Sequence, residues 1–170
     1  IDDTNKMIEI AQTKKRAVVI GGGLLGLECA RGLLDQGMEV TVLHLADWLM
    51  EMQLDRKAGE MLKADLEKQG MKIELQANSK EIIGDKDVEA IKLADGRVIE
   101  TDLVVMAVGI RPYTEVAKDS GLDVNRGIVV NDYMQTSDSH IYAVGECAEH
   151  DGKVYGLVAP LYEQGKVLAD

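Results

Sequence analysis

Three glycines carry the clearest chemical signal in the chain. In "VVIGGGLLGLECARGLL", residues 18–34, Gly21, Gly23 and Gly26 fall at G-x-G-x-x-G spacing. In that pattern the first glycine permits a tight turn, the second lets backbone approach a pyrophosphate with no Cβ in the way, and the third lets a helix pack closely on a strand. The helix then points its N-terminal amides and the positive end of its dipole at the phosphates. Gly21, Gly22, Gly23, Leu24, Leu25 and Gly26 are therefore the candidate anchor of a dinucleotide. The competing reading is a glycine turn that binds nothing. An acidic residue about 20 positions further on, at the end of the next strand, usually receives the adenosine ribose. Here that strand end reads "VTVLHLAD", so His44 takes the place and Asp47 is the nearest carboxylate. A neutral imidazole can hydrogen-bond a ribose hydroxyl and a protonated one can contact a 2′-phosphate, which leaves NAD and NADP both open. A strand-end histidine that is merely solvated is the alternative.

The elements needed to position these residues are legible around them. The first sixteen residues form a polar helical lead-in ending in "KKR". "AVVI", 17–20, reads as a strand, and Leu24, Leu27, Ala30, Leu33 and Leu34 recur at helical spacing until Gly37 stops the helix before the strand "EVTVLHL". A second crossover runs through Leu54, Ala58, Met61, Leu62 and Leu66 to Gly70 and "MKIEL". Short β segments follow, with Asp95-Gly96 as a hairpin signature, and "DLVVMAVG", 102–109, has the continuous apolar character of a strand buried on both faces. Further on, Ile141 to Val144 reads as an apolar strand. The pattern predicts an α/β fold: a Rossmann-like parallel sheet with helices on both faces, plus a small antiparallel β-meander.

Composition excludes several classes. With 19 basic and 30 acidic residues the formal charge is −11, which repels nucleic acid and anionic membranes. There is no Phe and a single Trp, so the core must be aliphatic and methionine-rich. No apolar run approaches the roughly 18 residues of a membrane span, and no signal-peptide pattern opens the chain, so a soluble cytoplasmic protein is expected. Cys29 and Cys147 show no CxxC and no metal-ligand spacing, which favours buried thiols over a redox pair and gives no metal site.

In order and spacing, "AVVIGGGLLGLE", "AVGIRPYTEVAKDSGL" and "TSDSHIYAVGECAE" resemble the pyridine nucleotide-disulfide oxidoreductase-like flavoproteins. The resemblance implies a connector from an FAD domain over 1–16, an NAD(P)H-binding domain over 17–125 and a partial return to the FAD-binding domain over 126–170. It implies that Val108 and Gly109 lie beside the nicotinamide, that Glu28 borders the junction of nicotinamide and flavin, and that Gly145 and Glu146 serve the ribityl chain of FAD, where most members have Asp instead of Glu. Hydride transfer in such a site needs orientation, with the reacting atoms roughly 3–3.5 Å apart, so no catalytic acid or base is expected.

"GGGLLGLE", "HLADWLMEMQLD" and "GEC" are more finely similar to the large subunits of assimilatory NAD(P)H-dependent nitrite reductases. That similarity implies NAD(P)H and a partly present FAD site here, with sirohaem and an iron–sulfur cluster only in the full-length protein, since two cysteines cannot ligate a cluster that generally needs four. The implied partners are the other FAD-domain half and downstream redox domains, and homo-oligomerisation is left open. Alternatives are the NAD domain of an NADH oxidase or of a rubredoxin or ferredoxin reductase, and, in another class, a non-catalytic nucleotide-binding sensor.

Overall fold

The computed structural model describes residues 1–169. The chain divides into two compact units, Ile1–Gly109 and Ile110–Asp170. The first is built on a four-stranded parallel sheet of order β3-β2-β1-β7, made by β1 (Arg16–Ile20), β2 (Glu39–Leu43), β3 (Lys72–Glu74) and β7 (Leu103–Met106). Helices α1 (Asp2–Ala11), α2 (Leu24–Asp35) and α3 (Arg56–Lys68) complete it, together with a second, antiparallel sheet of β4 (Ser79–Ile83), β5 (Ala90–Leu93) and β6 (Val98–Glu100).

Strand alternation splits the core in two. Ala17 and Val19 of β1, Val40 and Val42 of β2 and Leu103 of β7 face one side, where Leu27, Ala30 and Leu33 of α2 cover them and Met7, Ile10, Leu62 and Leu66 of the flanking helices close the edges. Val18, Leu43, Ile20 and Val104 face the other side and meet Ile91, Leu93 and Ile99 of the antiparallel sheet. Each fully buried aliphatic side chain contributes about 1.5–3 kcal/mol, so the two central strands dominate the stability of this unit.

The expected α/β fold with a parallel sheet and a meander is what forms, with one detail to correct: the helices of this unit share a single face, and the meander occupies the other. The cause is crossover handedness. The steps from β1 to β2 and from β2 to β3 run in one direction, and right-handed crossovers place α2 and α3 together. The step from β3 back to β7, on the far side of β1, reverses direction, so the same handedness throws its connection onto the opposite face. That connection is the meander.

The second unit carries α4 (Glu115–Asp119), β8 (Ile128–Val130), β9 (Ala148–His150), β10 (Lys153–Val154) and α5 (Val158–Ala169). Its strands form one sheet of order β10-β9-β8 over a small core of Val130, Met134, Ala143 and Ala148. The strand expected at Ile141–Val144 reduces to one bridge between Gln135 and Tyr142, because the segment pairs only with the tight bend at 134–136. The buried Glu149 takes over the ordering of the neighbouring loop. It accepts hydrogen bonds from the Gly127 N–H (2.9 Å), the Asn125 side chain (3.3 Å) and the Arg126 N–H (2.8 Å), which hold its carboxyl below the usual range.

Among the described residues no helix is long and apolar enough to cross a membrane.

Candidate functional site

A cleft of about 650 Å³ opens at the C-terminal ends of β1, β2 and β7. This is where the strand order reverses direction, the place in open α/β sheets where ligands bind. Its volume lies in the usual range for small-molecule sites. The wall is formed by the turn after β1, the ends of β2 and β7, the loop after β2 and the start of β4.

The glycines of the turn serve different purposes. Gly21 has φ +118°, and a Cβ built there would stand 2.2 Å from the Ala107 carbonyl oxygen. At Gly26 a Cβ would stand 2.0 Å from the Gly21 carbonyl oxygen. Both positions let the turn, the helix and β7 close on one another. Gly22 is also enclosed, with Leu49 Cδ2 at 2.6 Å and His44 Cγ at 2.8 Å from the same hypothetical atom. Gly23 differs: it is extended (φ −85°, ψ −178°), it is the N-cap of α2, and a Cβ there would meet nothing within 4 Å. Packing does not require glycine at 23, whereas a phosphate seated on the helix end would.

That helix end is open. No side chain caps it. The Leu27 N–H makes the first helical bond, to the Gly23 carbonyl, and the amides of Gly23, Leu24, Leu25 and Gly26 have no partner among the described residues. The side chains of Leu24 and Leu25 are exposed. The arrangement offers several aligned donors to an anion.

His44 is among the residues that line the cleft, but it is nearly enclosed. It is 6% exposed, and both ring nitrogens are engaged inside the protein. The Gly22 N–H donates to Nδ1 at 3.0 Å. An amide can only donate, so Nδ1 is the acceptor and the proton lies on Nε2, which faces Glu51 Oε2 at 2.9 Å and the Trp48 carbonyl at 3.0 Å. The Gly22 carbonyl in turn accepts from the Met50 N–H at 3.1 Å. The loop after β2 thus clamps the glycine turn from both sides.

That loop is itself braced. The Asp55 carboxylate caps α3 through the Ala58 N–H at 2.8 Å, the Trp48 indole N–H donates to the Leu54 carbonyl at 3.0 Å, and the Arg56 guanidinium lies over the indole 5.2 Å from its centroid. Asp47 belongs to the bracing and not to the cleft wall: its carboxylate accepts from Gln76 at 2.6 Å and from Arg56 at 3.1 Å.

The remaining expected residues fall as follows. Val108 and Gly109 line the cleft beyond β7, with Val108 exposed and Gly109 at φ +94°. Glu28 is exposed on α2, lies outside the cleft wall and makes no hydrogen bond among the described residues. In the second unit the Gly145 N–H donates to the buried Gln164 side chain at 2.9 Å, and Glu146 is exposed with no hydrogen bond among the described residues. Its carboxylate is available to accept from a polyol chain, which fits the flavin role implied for it. Burial raises the Cys29 thiol, whose sulfur lies 3.8 Å from Met7 Sδ, so it has the character of packing and not of a nucleophile.

Sequence reasoning missed Glu51, Met52, Gln53, Asn78, Ser79 and Lys80, all on the cleft wall. Ser79 has a buried hydroxyl with no hydrogen-bond partner among the described residues. A usable signal existed: loops that follow parallel strands line the ligand crevice, and these residues follow β2 and β3.

Comparison with known proteins agrees with this geometry. Residues 1–165 match the family model described as pyridine nucleotide-disulphide oxidoreductase. The chain is 63% identical over 169 residues to the nitrite reductase [NAD(P)H] of Bacillus subtilis (strain 168), covering 99% of this chain and 21% of that protein. It is 50% identical over 169 residues to the assimilatory nitrate reductase electron transfer subunit of the same organism, covering 99% and 22%. The chain therefore spans about a fifth of the length of these curated relatives. Among solved structures, a ferredoxin reductase from Rhodopseudomonas palustris superimposes with a TM-score of 0.91 at 30% identity, covering 99% of this chain and 43% of that one. A NAD-dependent persulfide reductase from A. fulgidus gives 0.89 at 32% identity, covering 98% and 32%. With the open helix end, the switch-point cleft and a family match over nearly its whole length, the chain belongs to the pyridine nucleotide-disulphide oxidoreductase family.

Proposed function

We propose that the first unit binds NAD(P)H in the cleft and presents it to FAD, as the nucleotide-binding portion of a flavin-dependent nitrite reductase that makes ammonia. The observation that carries the binding step is the uncapped end of α2 behind Gly23, where a Cβ would meet nothing within 4 Å and the first amides of the helix stand unpartnered. The 63% identity to a nitrite reductase supports the choice within the family.

In this reading the amides at Gly23–Gly26 hold the pyrophosphate, His44 keeps the turn in register through Gly22, and Val108 and Gly109 border the nicotinamide. Residues 1–16 are the connector, 17–125 the nucleotide-binding domain and 126–170 part of an FAD-binding domain, with Gly145 and Glu146 facing the ribityl chain. Bound FAD supplies the hydride acceptor. This chain's contribution is orientation, and none of its side chains moves a proton. Glu28, exposed on α2, stands as the junction residue only in the same proposal. Sirohaem and an iron–sulfur cluster belong to the full-length enzyme, whose other redox domains are the partners, and a cytoplasmic location follows from the supply of NAD(P)H there.

The test is NADH oxidation by the full-length gene product, with ammonium assayed alongside. Nitrite-dependent oxidation with ammonium formed supports the reading. Oxidation that ignores nitrite but responds to rubredoxin or to oxygen overturns it in favour of those reductases.

A further inference from the structure

We infer that Glu51 selects NADH over NADPH by supplying, from the loop after β2, the carboxylate that His44 displaces from the end of that strand. The inference rests on the nucleotide-site reading above and adds to it the identity of the coenzyme.

A carboxylate at the end of the second strand normally accepts the two hydroxyls of the adenosine ribose and repels a 2′-phosphate. In this chain that position holds an imidazole with both nitrogens in use, so it can offer the ribose neither a donor nor an acceptor. The acid is restored by one further link. His44 Nε2–H donates to Glu51 Oε2 at 2.9 Å, while Oε1 has no partner among the described residues. Glu51 lines the cleft, with its side chain 35% exposed. The imidazole is buried and fixed to the Gly22 amide, so the carboxylate it holds is set at a defined distance from the glycine turn, one ring beyond the strand end.

A carboxylate held in this way accepts from hydroxyls, and its charge opposes a phosphate. The rest of the wall does not reverse that sign: its other formal charges are Lys80 and Glu81, so together with Glu51 the lining is net acidic. An added 2′-phosphate would enter a negatively charged site in a chain of formal charge −11.

The test is calorimetric titration of the protein and of Glu51→Gln with NADH and with NADPH, with thermal melting as the folding control. The amide side chain introduced by Glu51→Gln retains an oxygen to accept from His44, so the loop is expected to stay in place. The expected result is a wild-type preference for NADH of at least about tenfold, narrowed at least about fivefold by Glu51→Gln, chiefly through tighter NADPH binding. A purely structural role would weaken both coenzymes alike, and that outcome overturns the inference. So does equal wild-type affinity for the two, or an unchanged ratio in the variant; in each of these cases NADH still binds and the nucleotide site stands. Failure of the wild type to bind either coenzyme overturns the site itself and the inference with it.

Discussion

Replacing Gly23 with Val separates ligand binding from folding. The backbone at 23 is extended and any residue can adopt it, and the space where a side chain would begin is empty to 4 Å. The folding cost is confined to the poorer N-cap character of Val, about 1 kcal/mol. The ligand cost is larger. The new methyl groups would occupy the approach to the Gly23, Leu24 and Leu25 amides, and a hydrogen bond from an amide to a charged oxygen is worth about 1.5–3 kcal/mol. Loss of two such bonds amounts to about 3–6 kcal/mol, or roughly two to four orders of magnitude in Kd. The assay is calorimetric titration with NADH beside a thermal melt of the same sample. A variant that melts within a few degrees of wild type and still binds NADH within threefold of it would refute the assignment of Gly23 to the phosphate.

Three other variants follow from the structure. Gly26→Ala should act on folding, because its Cβ would stand 2.0 Å from the Gly21 carbonyl oxygen; a loss of about 3 kcal/mol or more in denaturant unfolding is expected, and full stability would contradict the packing described. Asp102 accepts from the Arg16 side chain and from the backbone N–H groups of Arg16 and Lys15, which lowers its carboxyl to about 2. A carboxyl depressed on folding stabilises above its unfolded value near 4 and loses that contribution as pH falls toward about 2, so Asp102→Asn should cost about 1–2 kcal/mol at neutral pH and flatten acid unfolding in that window. Replacing Cys29 and Cys147 together by Ala should leave NADH affinity within a few-fold, measured in the same titration, and a hundredfold loss would make one of the thiols functional.

The parts of the fold written in the sequence were the local ones. Gly21, Gly23 and Gly26 are readable because a tight turn and a close helix contact limit residue type at fixed spacing. The apolar pattern of α2 is readable from its helical spacing, whereas the run at 102–109, read as a strand buried on both faces, forms the edge strand β7 and leaves Met106 and Val108 exposed. The second face of the sheet was not readable, because it is decided by the order β3-β2-β1-β7, a property of the whole chain. The site divides along the same line. His44 stands where an acid was expected, but its partners Gly22 and Glu51 lie 22 and 7 residues away, and no periodicity connects them. Asp47 is near in sequence and was drawn off by an ion pair with Arg56 and a hydrogen bond donated by the Gln76 side chain. The strand read at Ile141–Val144 had the apolar composition of a strand but only a short bend to pair with.

The central claim, that the cleft behind the glycine turn is a nicotinamide dinucleotide site, is tested most directly by following backbone amide resonances of the protein as NADH is added. The account predicts saturable shifts concentrated at Gly23, Leu24, Leu25 and Gly26, extending to Glu51 and to Asn78 and Ser79 on the cleft wall. Shifts that are absent from these amides, or that gather elsewhere on the molecule, would contradict it.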